Sequence, residues 1–451
     1  MIHIIQIVVK RNHPLYSYCD NLTACSNNMY NTALFYYRQV MFAMEKDEAQ
    51  WSENERKVVS EIKETLPRMR GKHAMPTPES RYLSGEFLDA FFLASNNKDY
   101  TASGFPKQCA QNCISDMLAS MTSYFENVKN YKDGTIANKP SLPRYRDSGS
   151  HRAVRFTNED CVVYTRYRNK PLKRPELKVP KCKQRIPVPN FCGRLKQVTV
   201  SPFYDCYKIV ITSDDSPEEN TKDLPLPPLR TESPKRIIGI DIGVDNIAAI
   251  TNNIGKECLL FKGNCLKSKN QWYNKTVARI VSEQTKGTTN KFKPTPEFNR
   301  VCRLRKCYIL NFMHKVAIQI IRWCDDNNID TIIIGENVGW KQELRMHKHQ
   351  KQTFIYIPFD ILKDYISYLG ANRGIRVIKT EESYTSKASF IDDDFIPTYG
   401  DENAYQAKFS GVRGPINYKG YTKAKKGKEK SQFRGIYRTK DGSYINSSLS
   451  C

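Results

Sequence analysis

Lys235-Arg-Ile-Ile-Gly-Ile-Asp-Ile-Gly-Val-Asp-Asn246 is the stretch around which the rest of the chain falls into place. Ile237, Ile238, Ile240 and Ile242 are β-branched and nearly continuous, the pattern of a strand covered on both faces. Asp241 sits inside that run, between Gly239 and Gly243. A carboxylate in an apolar strand is costly unless something cationic compensates it, and flanking glycines let a ligand or another backbone come close. Further strands are expected at Ala248–Thr251 and Cys258–Phe261, with a turn at Asn252–Gly255 between them. The expectation is a three-strand meander with an acid on its first, central strand. Alone, one such Asp reads more readily as a structural cap or ion pair than as a site.

A second acid changes that weighting. Asp330-Thr-Ile-Ile-Ile-Gly-Glu-Asn337 repeats the logic, with Ile332, Ile333 and Ile334 forming a buried strand that ends at Glu336. That places Glu336 at a carboxyl edge, where α/β sheets keep their sites. A helix over Asp360–Asn372, stopped by Gly374, and a strand over Ile375–Ile378 complete a βα unit. Two carboxylates on parallel strands of one sheet repel unless a cation sits between them. Mg²⁺ takes oxygen ligands and brings in phosphate, and paired ions activate water and stabilise a departing oxygen. Asp241 and Glu336 are therefore the expected catalytic acids and metal ligands, with two structural acids as the alternative reading.

The totals indicate the partner. Among 451 residues, 71 Lys and Arg stand against 47 Asp and Glu, a net charge of +24. Such an excess fits a polyanion, because each neutralised phosphate releases counterions. Fourteen cysteines are scattered without a Cys-x-x-Cys, so neither a zinc ribbon nor a disulfide framework is written here. Unpaired thiols suit a reducing compartment, no apolar run approaches membrane-spanning length, and residues 1–10 alternate like a strand rather than a signal peptide. A cytoplasmic, nucleic-acid-binding protein with no membrane partner is expected.

From the N-terminus, a strand over residues 1–10 leads into a helix that Asp20 is expected to cap, followed by helices near Tyr82–Ala94 and Pro106–Tyr131. From Val162 to Val200 there are eleven Lys and Arg against one acid, Glu176. Arg194–Val200 and Tyr207–Thr212 read as strands, and Arg166, Arg168, Lys173 and Arg174 are expected to grip a nucleic-acid backbone from a small β-barrel. Ser213–Pro234 is a proline-rich linker. Beyond the meander, helices are expected over Ser268–Ser282 and Glu297–Asp326. Arg303, Arg305 and Lys306 lie in the first turns of the second; cations there oppose the helix dipole and suggest an anion. His314, a lone histidine on that helix, reads as packed rather than catalytic. Lys341, in the loop after Glu336, extends the basic surface.

Three motifs resemble one family. Gly239–Asn246, Gly335–Gln342 and Glu381-Glu-Ser-Tyr-Thr-Ser-Lys-Ala-Ser-Phe390 look like the TnpB (OrfB) proteins, transposon-encoded RNA-guided DNA endonucleases related to the type V CRISPR effectors. Leu142-Pro-Arg-Tyr-Arg146 is consistent with them. The resemblance implies a multidomain α+β chain. Residues 1–15 and 136–212 would form a wedge β-barrel, 16–135 an inserted helical recognition lobe, 213–234 a linker and 235–390 an RNase H-like (RuvC) α/β nuclease domain. Residues 391–440 would form a basic nucleic-acid-binding insert, with Lys425, Lys426 and Arg434 in a run of eight Lys and Arg against Glu429, and 441–451 the end of RuvC. The implied partners are a guide RNA and a double-stranded DNA target, and the implied cofactor is Mg²⁺.

Two departures follow from the same residues. Many relatives carry a four-cysteine zinc finger after the Tyr-Thr-Ser segment, but no cysteine occurs between Cys324 and Cys451, so no zinc is expected. The family's third acid follows the pattern Ile-Asn-Ala-Asp, whereas this chain reads Ile445-Asn-Ser-Ser448. Ser448 stands at the lost acid, and a hydroxyl does not supply a carboxylate's charge. A nuclease-dead, repressor-like RNA-guided DNA binder or a decayed transposon protein is therefore the alternative to a working endonuclease.

Overall fold

The computed structural model describes residues 2–167, 170–189, 191–214, 227–287, 289, 291–336, 357–385, 387–389, 391–397, 406–422, 432–433 and 435–446. The chain is mixed α+β and divides into two compact units, Met1–Leu224 and Pro225–Cys451. Among the expected nucleic-acid contacts, Arg168, Lys341, Lys425, Lys426 and Arg434 lie outside the described residues, as does Ser448.

In the first unit, β1 (Ile2–Val9) leads into the long helix α1 (Tyr16–Ala43). The helices α2 (Glu53–Thr65), α3 (Gly85–Ala94) and α4 (Lys107–Lys132) follow. The apolar spacing of α1 buries Leu22, Met29, Ala33, Leu34, Tyr37 and Val40, and α4 buries Ile114, Met117 and Met121 in the same core. A capping box starts α2: Ser52 accepts from the Glu55 N–H while Glu55 accepts from the Ser52 N–H. Asp20 does not cap α1. The helix begins one turn earlier, and Asp20 instead accepts from the Tyr207 hydroxyl at 2.6 Å. The Leu142–Arg146 motif docks on α1. Arg146 Nε donates to Asn27 Oδ1 at 3.0 Å, and the Arg146 and Asn31 amides bond reciprocally at 2.9 Å.

Six strands complete this unit: β2 (Val154–Thr157), β3 (Val162–Tyr167), β4 (Lys170–Lys178), β5 (Ile186–Pro187), β6 (Arg194–Phe203) and β7 (Cys206–Asp214). They form two antiparallel sheets, β1-β7-β6-β2 and β3-β4-β5. Among the described residues, β1 and β2 are the edges of the first sheet, and no pairing closes a barrel. Alternation along β6 and β7 buries Val198, Val200, Ile209 and Ile211 on one face, as a sheet with one covered side requires.

The second unit is built on a five-stranded sheet. Its strands are β8 (Ile237–Asp241), β9 (Asn246–Asn252), β10 (Leu259–Lys262), β11 (Thr331–Gly335) and β12 (Arg376–Thr380), in the order β10-β9-β8-β11-β12. The meander is antiparallel, and β11 runs parallel to both β8 and β12. Helices α5 (Asn264–Thr285), α6 (Pro296–Asp326) and α7 (Phe359–Ala371) accompany it. Ile238, Ile240, Ile332 and Ile334 are fully or nearly buried with Ile320, Leu362 and Ile366 from the helices. Toward the C-terminus, Ile436–Arg438 pairs with Val412–Arg413 and Tyr444–Asn446, and the buried Tyr437 donates its hydroxyl to the Lys387 carbonyl at 3.0 Å.

Candidate active site

What aligns β8, β11 and β12 is a buried acid at their amino ends. Asp330 accepts from the backbone N–H of Arg236 at 2.8 Å, from that of Lys235 at 3.1 Å and from the Thr331 hydroxyl at 2.7 Å. Its own N–H donates to the Arg236 carbonyl, and its carbonyl accepts from Arg376 N–H. Burial pushes the Asp330 carboxyl up, but those donors outweigh burial and hold it below the usual carboxylate range. One side chain thus fixes which residue of β8 stands beside which residue of β11.

With that register set, Ile240 lies beside Ile334. One step on, Asp241 at the end of β8 comes beside Gly335, and Glu336 follows directly after β11. Both acids sit at the carboxyl ends of adjacent parallel strands and are half-exposed. Asp241 therefore closes its strand rather than interrupting it, and solvent relieves part of the cost that a mid-strand carboxylate would carry. The neighbouring glycines serve the sheet: a Cβ at Gly239 would stand 3.2 Å from Thr251 Oγ1 across the ladder, and one at Gly243 would stand 3.2 Å from the Asn246 carbonyl in a tight turn.

Glu336 is tied to β12, donating its N–H to the Thr380 carbonyl at 2.7 Å, and its carboxylate pairs with Lys379 at 3.4 Å. A third carboxylate, Glu382, follows β12 by two residues. Its side chain fills the space over Gly335, where a Cβ would lie only 2.9 Å from its Cδ and would overlap Oε2. Burial raises the Glu382 carboxyl above its ordinary value, the charge of Asp241 raises it further, and Lys363 opposes both. Lys363 projects from α7 and is itself only 6% exposed.

This arrangement suits an open oxygen-donor site. Mg²⁺ is usually held by one or two carboxylates together with substrate phosphates, not by an all-protein cage. Asp241 and Glu336 are the residues that would supply such donors, and among the described residues no three acidic, histidine or cysteine side chains enclose an ion. Asp441, the acid nearest position 448 in sequence, is engaged in its own turn, accepting from Thr439 Oγ1 and from the Ser443 N–H and hydroxyl.

The expected nucleic-acid contacts are distributed over both units. In the first, Arg166 on β3 and Lys173 and Arg174 on β4 are exposed, and Arg185 lies over the Tyr164 ring at 4.3 Å. In the second, Arg303, Arg305 and Lys306 lie beyond the first turn of α6, which holds Glu297. Dipole effects fade within one turn, so the dipole argument does not apply to them. Arg305 bridges two helices, donating from Nε to Asn270 Oδ1 at 2.8 Å and stacking on Tyr273, whereas Lys306 is exposed. His314 packs edge-on against Tyr365, with ring centroids 5.1 Å apart.

The second unit is thus a mixed sheet with two acids, Asp241 and Glu336, at neighbouring parallel strand ends. The OrfB_IS605 family profile, described as a probable transposase, matches residues 211–341, a segment that contains both Asp241 and Glu336. The match makes that segment similar to the OrfB_IS605 family. No curated protein matches the chain.

Similar solved structures include a Cas12f1–sgRNA–target DNA complex at 11% identity and TM-score 0.28, covering 86% of this chain and 87% of that one. A CRISPR-Cas12f ternary complex matches at 11% and 0.33, covering 95% and 80%. The Alicyclobacillus acidoterrestris C2c1 protein with single-guide RNA matches at 9% and 0.29, covering 83% and 66%.

Proposed function

We propose that this chain is an RNA-guided DNA-targeting protein whose second unit is a RuvC-type, RNase H-like nuclease domain. Asp241 and Glu336 would hold Mg²⁺ against a target phosphodiester. The observation that carries the reading is the coincidence of two independent facts: the family match spans both acids, and the strand register brings them to adjacent carboxyl ends of one sheet. The bound ions would activate water and stabilise the departing oxygen. The protein's own part is to orient and to balance charge. Asp330 sets the register, Lys379 neutralises Glu336 while no metal is bound, and Lys363 offsets the charge of Glu382.

In this reading the excess positive charge serves a guide RNA and double-stranded DNA, with pairing reading the sequence. The strands of residues 136–212, with Arg166, Arg168, Lys173 and Arg174, would hold the RNA beside residues 1–15. The helices of 16–135 would form the recognition lobe. Residues 391–440 would add a basic DNA- or RNA-binding insert without zinc. A cytoplasmic location follows from the same reading.

The test is cleavage of a target-library plasmid by protein purified with its co-expressed RNA and supplied with Mg²⁺, beside a binding assay on the same DNA. Mg²⁺-dependent cuts that vanish in Asp241→Ala support the nuclease reading; cuts that survive this substitution refute it. One observation favours a second reading: Ser448 stands where the family has its third acid. Guide-dependent binding without cuts would identify a nuclease-dead targeting protein.

A further inference from the structure

We infer that Glu382 supplies the third carboxylate of the Asp241/Glu336 site in this chain, acting as a charge that faces the bound cation, the part that the family resemblance reserves for position 448. The inference rests on the metal-site reading of Asp241 and Glu336, and three observations carry it.

The first is tethering. The Glu336 N–H donates to the Thr380 carbonyl, and Glu382 lies two residues beyond Thr380, so the chain delivers it to the carboxyl edge at which Glu336 stands. The second is room. Gly335 lies between the two strand ends, and the Glu382 side chain occupies the volume that any other residue's Cβ would take: Cδ would be 2.9 Å and Cβ 3.2 Å from it, and Oε2 would overlap. Alanine at 335 would expel this carboxylate, and the sequence has glycine there. The third is convergence. The β8–β11 register carries Asp241 to the position beside Gly335, and Asp241 and Glu382 act on each other electrostatically.

A purely structural acid has no reason to be held against another carboxylate, because like charges at one sheet edge cost the fold. The cost turns into affinity once a divalent cation enters. At this group Lys363 opposes the charges of Asp241 and Glu381; Glu381, the adjacent acid in sequence, is exposed and accepts from the Ser383 N–H at 3.1 Å. As no three such side chains enclose an ion among the described residues, Glu382 contributes through charge rather than by closing a cage, in keeping with the preference of Mg²⁺ for retaining water.

The experiment titrates Mn²⁺ into the full chain, purified free of nucleic acid, and reads free Mn²⁺ by electron paramagnetic resonance. Wild type is compared with Asp241→Asn, Glu382→Gln, Glu382→Asp, Glu381→Gln and Gly335→Ala. Glu382→Gln is expected to weaken Mn²⁺ binding about tenfold, equivalent to about 1.4 kcal/mol. Glu382→Asp should recover part of that loss, and Glu381→Gln should bind like wild type. Gly335→Ala displaces the carboxylate without removing it and should weaken binding in the same direction, which keeps the test decisive if Glu382→Gln folds poorly by circular dichroism. Lost binding in Asp241→Asn with wild-type binding in both Glu382→Gln and Gly335→Ala would overturn the inference and leave the metal-site reading intact. Unchanged binding in Asp241→Asn would overturn that reading, and this inference with it.

Discussion

Asp330→Ala should destabilise the second unit more than its distance from the acids suggests. The substitution removes the acceptor for two backbone N–H groups, those of Lys235 and Arg236, and for the Thr331 hydroxyl. Leaving a buried donor unsatisfied costs ~1–3 kcal/mol. Lys235 and Arg236 are themselves exposed, so water satisfies part of that need and the low end applies to each N–H. With the buried Thr331 hydroxyl at ~1–3 kcal/mol, the sum is about 3–5 kcal/mol, a large share of the roughly 5–15 kcal/mol by which domains are stable.

The carboxyl is held below its ordinary value in the fold, so its contribution is fully present above the unfolded value. It is lost as pH falls through the lower folded one. The stability gap between wild type and Asp330→Ala should therefore be constant near neutrality and close below about pH 4. Urea unfolding followed by tryptophan fluorescence is the assay, because Trp272, Trp323 and Trp340 belong to the second unit and only Trp51 to the first. A loss under about 0.5 kcal/mol, typical of a surface change, or a gap that widens in acid, would refute the register-clamp argument.

Four further outcomes follow from the same structure. Lys379→Met removes the cation paired with Glu336; as both groups are partly exposed, the pair is worth about 0.2–1 kcal/mol, and Mn²⁺ affinity should rise by up to about fivefold. In the metal-free chain, burial and the Asp241 charge raise the Glu382 carboxyl, so this group's contribution is lost as pH rises through its folded value. Glu382→Gln should accordingly melt above wild type at neutral pH without metal, and a lower melting temperature would contradict the assigned direction. Replacing Arg166, Lys173 and Arg174 together by glutamine should reduce the salt slope of RNA binding by about 2, at ~0.7 per single-strand phosphate contact; an unchanged slope in filter binding would remove that sheet from the RNA surface. Gly411→Ala drives a Cβ against the Tyr437 ring, 2.6 Å from its Cζ, and should lower the melting temperature of the second unit, whereas Gly442→Ala meets no neighbour and tests only the backbone cost of its positive φ.

Local order was largely legible in the sequence because local rules produce it. Apolar residues at spacings of three and four marked α1, α4, α6 and α7 to within a few residues, and isoleucine runs marked β8 and β11. Asp241 and Glu336 stood out because an acid within or at the end of such a run is chemically conspicuous, and His314 read as packed because a lone histidine on an apolar helix usually is. Where the reading failed, a competing contact had won. Asp20 has the side chain of a cap, but α1 starts four residues earlier and Tyr207 claims the carboxylate. Gly239 and Gly243 left open a ligand or another backbone: the Asn246 carbonyl is the backbone that comes close at Gly243, and Thr251 Oγ1 takes the space at Gly239.

The sequence by itself determined the mixed α+β character, the two acids in or after isoleucine runs, the excess of positive charge and the family motifs, since each depends on residue type and short-range spacing. Only the tertiary structure decided that β11 lies between β8 and β12 in parallel, with Asp330 as the pin at one end and Glu382 over Gly335 at the other. Those facts join residues about 50 to 140 positions apart in the chain. No local propensity encodes such a meeting; it arises because one register alone satisfies the buried donors at the amino ends and the apolar faces between the strands.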